Sequence, residues 1–139
     1  MRLPTSPMLA KTGPLPAGPG WSHEVKWDGF RALVFTVEGL KVRSRRGWNM
    51  TEALPELRGL PDGLVLDGEL VAFNKAGDPH FPLLSKRILN RDTSVSIQFM
   101  IFDVLAVDGE SVTALVVRRV QGPARAARSR RVSLDARIV

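Results

Sequence analysis

Leu64-Val65-Leu66-Asp67-Gly68-Glu69-Leu70-Val71-Ala72-Phe73 is an apolar run interrupted once, by two carboxylates around a glycine. Its alternation predicts a half-buried strand, and Asn74 to Gly77 then reads as a turn. Downstream, Phe81 to Leu89 is expected to be helical, and Ser94 to Phe102 alternates again through Val95, Ile97, Phe99 and Ile101. Asp108-Gly109 marks another turn. Upstream, Arg31 to Val37 and Leu40 to Ser44 form a hairpin pattern closed at Glu38-Gly39, preceded by a short strand over Trp21 to Lys26. Between hairpin and long strand, Asn49 or Thr51 is placed to cap a short helix toward Leu57. These elements predict an α+β domain of antiparallel strands with a few helices.

Composition sets outer limits. The chain has 139 residues, enough for one domain, with 44% hydrophobic residues and no cysteine, so disulfide scaffolds and cysteine-ligated zinc are excluded. Apolar runs are too short to span a membrane, and Pro4 and Pro7 interrupt the segment where a signal peptide needs an apolar helix; a cytoplasmic location is expected. The net charge of +6 is unevenly placed: residues 1–117 carry 13 Lys/Arg and 13 Asp/Glu, whereas residues 118–139 carry seven arginines and one acid, Asp135. Three regions follow: a Pro/Gly-rich arm over residues 1–20, a motif-bearing body over 21–117, and a basic tail over 118–139 expected to be disordered. That tail reads as a solvated segment or as an arm gripping nucleic acid.

The chemistry-bearing stretch is Lys26-Trp27-Asp28-Gly29-Phe30-Arg31, which brings an amine, a carboxylate and a guanidinium together around a turn-permissive glycine. An extended backbone points Lys26 and Asp28 the same way and lets Trp27 turn into the core. A nearby arginine and partial burial would lower the lysine pKa and make the amine a nucleophile. A surface hairpin carrying an ordinary charge network accounts for the same six residues.

The hexamer resembles the nucleophile motif of the covalent nucleotidyltransferases, which include ATP-dependent DNA ligases, RNA ligases and mRNA capping enzymes. Ser44-Arg45-Arg46-Gly47, Leu66-Asp67-Gly68-Glu69-Leu70 and Phe102-Asp103-Val104-Leu105 follow in the order of that superfamily's S-R-x-G, D-G-E and F-D-x-L elements. Pro7-Met8-Leu9-Ala10, Trp21 to Arg31 and Asp67 to Phe73 look most like the adenylation domain of bacterial end-joining DNA ligases, and the resemblance spans roughly residues 5 to 117. It implies two antiparallel sheets with ATP between them, and divalent Mg2+ or Mn2+. It also implies nicked or broken double-stranded DNA as the partner, in DNA repair and recombination.

Residue by residue, the resemblance implies that Lys26 attacks the α-phosphate of ATP and becomes lysyl-AMP. Glu24 matches a position beside the adenine, although a strand-surface carboxylate explains it as well. Asp28 and Gly29 match the nucleophile loop, Arg31 a ribose or phosphate contact, and Arg45 a contact to the nucleotide or to the nicked strand's phosphate. Glu69 matches the glutamate that contacts the ribose or helps hold the metal, against a plain ion-pair role. Phe102 matches the aromatic that stacks on the purine, against a core role. Trp21, Trp27 and Trp48 are expected to pack, and His23 and His80 are too isolated for a metal site.

Two later elements of the superfamily, an E-G glutamate and a K-x-K pair, have no counterpart, since the last glutamate is Glu110 and the last lysine Lys86. The expectation is therefore a C-terminally truncated or frameshifted ligase domain with impaired activity, or one completed by a separate polypeptide. Rival expectations are a capping-type guanylyltransferase or RNA ligase, and a non-catalytic nucleotide- or DNA-binding remnant.

Overall fold

The computed structural model describes residues 6–21 and 25–113. Five antiparallel strands form one sheet in the order β2-β1-β3-β4-β5: β1 (Phe30–Phe35), β2 (Lys41–Ser44), β3 (Val65–Ala72), β4 (Ile97–Val107) and β5 (Glu110–Ser111). Among the described residues one α-helix, α1 (Phe81–Asn90), lies between β3 and β4 in the chain. The α+β expectation holds. The described residues make a single sheet, where the resemblance implied two.

β3 lies between β1 and β4, and this position corrects its expected half-burial: seven of its eight residues are buried, and Glu69 alone is intermediate. On one face Ala32, Val34, Leu66, Leu70, Ala72, Ile97 and Phe99 pack with Leu84 of α1 and with Ala53, Leu54 and Leu57. On the other face Leu33, Val65, Leu105 and Ala106 form a smaller apolar cluster with Phe35 and Val37. That second face also carries the charged side chains considered below.

The long fourth strand reaches Val107, beyond the expected end at Phe102, because simple alternation fails there. Its pairing with β3 slips between Asp67 and Gly68 and again between Val65 and Leu66, leaving Phe102 and Leu105 as the extra residues. A bulge places two consecutive residues against one partner and turns the strand's side chains out of register. As a result Leu105 and Ala106 join the same second-face cluster, while Val104 packs with the core on the opposite face.

The segment expected as a helix toward Leu57 is instead two 3-10 turns, Thr51–Ala53 and Pro55–Gly59. Neither Asn49 nor Thr51 takes the cap position, which falls on Met50 without a side-chain cap bond; Asn49 stands one residue earlier, its Oδ1 accepting from the Thr51 N–H at 3.1 Å and from the Thr51 hydroxyl at 2.7 Å. Pro55 then prevents continuation, since proline lacks a donor and excludes Leu54 from the helical region, where φ is −131° and ψ is 52°. Helix α1 forms as expected, with Pro82 in its first turn and the His80 Nδ1 accepting from the Leu83 N–H at 3.3 Å. The buried Arg87 ties it to the preceding turns by donating to the Ala53 carbonyl at 2.9 Å and by pairing with Glu56. Beyond it, Arg87 donates to the Val95 carbonyl at 3.0 Å, which fixes the approach to β4.

Trp21, Val25, Lys26, Trp27 and Asp28 lie outside any strand, so the short strand expected over Trp21 to Lys26 is absent among its described residues. The basic tail over 118–139 lies outside the described residues.

Gly68 shows why the central motif has its glycine. Its Cα faces the core between two acidic neighbours on the opposite face, and a Cβ there would lie 2.5 Å from the Met100 carbonyl oxygen and 2.6 Å from Phe99 Cε2. The Phe99 ring fills the space a side chain would take. Gly68→Ala should therefore cost about 1–3 kcal/mol through overpacking, read as a fall of about 5–15 °C in melting temperature.

Candidate active site

Strand register assembles the site on the sheet face opposite the main apolar core, with Phe81 at the start of α1 reaching its border. Arg31 on β1 lies directly opposite Glu69 on β3, and Asp67, two residues earlier on β3, lies opposite Asp103 on β4. Period-two alternation puts all four on one face. The Arg31 guanidinium reaches diagonally to Asp67 in a bidentate pair, Nε to Oδ1 at 2.6 Å and Nη2 to Oδ2 at 2.8 Å. The Asp67 side chain is 4% exposed, and its hydrogen bonds raise the Arg31 pKa above its ordinary value.

The bulge at Phe102 adds the aromatic. Its ring lies under the same guanidinium, with Arg31 Cζ 4.3 Å from the ring centroid, a cation–π distance. One ring face is thus covered by Arg31. Arg31 also donates from Nη2 to the Met8 carbonyl at 3.3 Å, drawing the N-terminal arm across the face so that Leu9 and Ala10 line the site.

The loop carrying Lys26 approaches from the β1 end. Gly29 permits this approach: a Cβ there would fall 1.9 Å from the Leu70 carbonyl oxygen. Trp27 packs edge-on to Phe73 with ring centroids 6.1 Å apart, which partly meets the expectation that it packs. Trp21 and Trp48 do not: they are 62% and 64% exposed.

Lys26 differs from expectation in its electrostatics. Its Nζ donates to Asp28 Oδ1 at 2.9 Å, and both side chains are largely exposed. The Asp28 hydrogen bond and charge, with a smaller contribution from Glu69, raise the lysine pKa above its usual value, whereas the sequence pointed to a lowered one. Arginine does not act on it as expected because the Arg31 charge is committed to Asp67, and burial is slight because Lys26 stands in an exposed segment ahead of β1.

Glu69 shows the opposite tendency. Half-buried at the centre of the face, its carboxyl is raised above the ordinary carboxylate range chiefly by loss of solvent. Arg31, the Gly29 N–H and Lys26 pull it back down, while Asp67 adds to the rise.

These groups surround one open cleft of about 830 Å³. Lys26, Asp28, Gly29, Arg31, Arg45, Glu69 and Phe102 all line it, so every residue singled out from the sequence and described here meets the others. Glu24 lies outside the described residues. Sequence reasoning missed Asp67 and the Met8 carbonyl as site-builders: the carboxylate was visible in the D-G-E element, but its partner depends on strand register. No group of three or more His, Cys, Asp or Glu side chains is arranged to hold a metal among the described residues. A lone half-buried carboxylate suits a divalent ion held jointly with phosphates, as Mg2+ commonly is.

Known proteins resemble this chain in sequence and in fold. Residues 7–122 match the family described as ATP dependent DNA ligase domain. The multifunctional non-homologous end joining DNA repair protein LigD of Mycobacterium tuberculosis is 39% identical over 115 residues, covering 77% of this chain and 15% of that protein. DNA ligase C2 of Mycolicibacterium smegmatis is 37% identical over 127 residues, covering 79% of this chain and 34% of the relative. Among solved structures, the ligase domain of M. tuberculosis LigD aligns with a TM-score of 0.55 at 34% identity, over 66% of this chain and 31% of that one. A mycobacterial DNA ligase D complexed with ATP and MES aligns with a TM-score of 0.51 at 36% identity, over 63% and 30%. The chain thus spans from about 15% to about a third of the length of these relatives. It belongs to the ATP-dependent DNA ligase family.

Proposed function

We propose that this chain forms the nucleotide-binding part of a DNA ligase that takes up AMP from ATP on Lys26 and delivers it to the 5′-phosphate of a nicked or broken DNA strand. The observation that carries this reading is the convergence of Lys26, Arg31, Glu69 and Phe102, distant in sequence, on one cleft. The purine would stack on the Phe102 face not covered by Arg31, and the ribose would lie toward Glu69 and Arg31. Glu69 would also share a divalent ion with the phosphates, and that ion would neutralise charge building on the α-phosphate.

In the first step the Lys26 amine forms a bond to the α-phosphorus and the bond to pyrophosphate breaks. The amine must first lose a proton, and the Asp28 carboxylate already accepts a hydrogen bond from it at 2.9 Å. The amine is charged near neutral pH in any case and the pairing raises its pKa further, so attack requires its proton to pass to the Asp28 carboxylate or to the departing pyrophosphate. A DNA 5′-phosphate oxygen then attacks the lysyl-AMP phosphorus and frees the amine. A 3′-hydroxyl finally displaces AMP and joins the strands.

Incubation with α-labelled ATP and Mg2+ or Mn2+ should transfer label to the chain but not to Lys26→Ala; label persisting in that variant would sink Lys26 as the nucleophile. Gly29→Ala should lower labelling by about 10- to 100-fold, since an error of 1 Å in placing a reacting group costs about that much. Its melting temperature should fall less than that of Gly68→Ala, because the displaced loop is exposed.

Glu69 gives a pH-dependent test. With its folded pKa above 4.5, the folded state holds its proton more tightly than the unfolded one, so Glu69 costs stability as pH rises through that interval and beyond. Glu69→Gln should remove this cost. After allowance for solvent screening at a half-exposed group the gain is about 0.5 kcal/mol, or about 2–4 °C near neutral pH. The gain should vanish in acid, while labelling from ATP falls. Melting curves across the acid-to-neutral range check both signs.

A further inference from the structure

The turn after β2 has features that nucleotide binding does not use. Gly47 donates to the Ser44 carbonyl at 2.9 Å and the Ser44 N–H donates to the Trp48 carbonyl at 2.9 Å. The Ser44 hydroxyl oxygen accepts from the Trp48 N–H at 3.0 Å and the Arg46 N–H at 3.3 Å. Four hydrogen bonds therefore fix a short loop whose side chains face outward.

Those side chains are of one kind. No acid occurs between Lys41 and Thr51, and Arg43, Arg45 and Arg46 crowd the stretch. Among the described residues, neither the Arg45 nor the Arg46 guanidinium has a hydrogen bond or ion pair. Trp48, beside them, is 64% exposed, although the indole is among the costliest side chains to leave in water. A second hollow, of about 360 Å³, lies between this turn and Ile88 and Leu89 of α1, and shares Gly29, Arg31, Arg45 and Glu69 with the Lys26 cleft. A strand whose end sits at Lys26 would therefore continue onto Arg46 and Trp48.

We infer that Arg46 and Trp48 form a binding site for an unpaired stretch of the DNA strand beside the break, with a base stacked on the indole and a phosphate on the guanidinium. The inference rests on the ligase reading for the strand's end and adds a preference for unpaired nucleotides. Unpaired bases expose the faces that aromatic side chains stack on, and arginines beside the ring hold the backbone. A paired duplex offers the phosphates but not the base faces. The charge argues against an apolar protein partner, which would have to desolvate unpaired guanidiniums.

The test compares the full chain with Trp48→Ala, Trp48→Phe and Arg46→Ala, binding a labelled 5′-phosphorylated single strand and a blunt duplex of the same sequence. Trp48→Ala should weaken single-strand binding about 5- to 100-fold and leave duplex binding within about twofold. Trp48→Phe should keep most of the affinity but lose most of the DNA-induced quenching of intrinsic fluorescence. Arg46→Ala should reduce the slope of log affinity against log salt by about 0.7 on single strands. Unchanged single-strand affinity in Trp48→Ala, or equal losses on single strand and duplex, would overturn the site. Melting temperatures within about 2 °C of the parent verify that an exposed substitution leaves the fold intact. Lysyl-AMP formation by the same proteins separates the two readings. Normal labelling with lost single-strand binding in Trp48→Ala supports both, and an unlabelled parent whose single-strand binding still depends on Trp48 overturns only the lysyl-AMP step proposed for this chain.

Discussion

The bidentate pair between Arg31 and Asp67 organises everything on the functional face. Asp67 is almost fully buried on the central strand, and a buried carboxylate is tolerated only when its charge and lone pairs are met. Arg31 meets them from the neighbouring strand, and in doing so fixes its own guanidinium in one plane. That plane supports the Phe102 ring, and its remaining edge holds the Met8 carbonyl. One ion pair thus sets the position of the aromatic platform, the arm that borders the cleft and the charge available to Glu69.

The arrangement also bears on the electrostatics of Lys26 and Glu69. With Arg31 largely neutralised by Asp67, Glu69 is left half-buried with incomplete compensation, and Lys26 falls back on Asp28. Glu69 keeps an incompletely offset cost of burial, and Lys26 keeps a proton that its pairing with Asp28 holds more tightly. A site whose groups are unsatisfied alone and complementary to a charged ligand concentrates its binding energy on that ligand.

Much of this was legible in the sequence, because strand alternation and motif order are local properties. The hairpin, the central strand and α1 follow from runs of a few side chains, whereas the cleft-lining residues were marked by the order of motifs that resemble a family. What local pattern could not show were relations across strands. The Arg31–Asp67 pair depends on β1–β3 register, and the bulges that rotate Phe102 and Leu105 are invisible to a reading that expects strict period two. Lys26 differs for a local reason: the Asp28 carboxylate that shares its face takes the amine as a hydrogen-bond donor and raises its pKa, an effect that outweighs the arginine expected to lower it. Pro55 did carry a readable signal against a regular helix, outweighed in the pattern by Leu54 and Leu57.

Trp48 follows from a similar cross-element constraint. In sequence it stands two residues before the buried Met50, close enough to the core to be read as packing. In the fold, the bridge between Arg43 and Asn49 and the Ser44 hydrogen bonds close the loop, and the indole is left on its outer side. Hydrophobic burial would favour the indole inside, so its outward position is set by the loop geometry rather than by its own transfer energy. The same hydrogen bonds hold Arg45 at the edge of the Lys26 cleft. Loop shape, cleft and exposed aromatic are therefore one structural unit, and changing the Ser44 cap would disturb all three together.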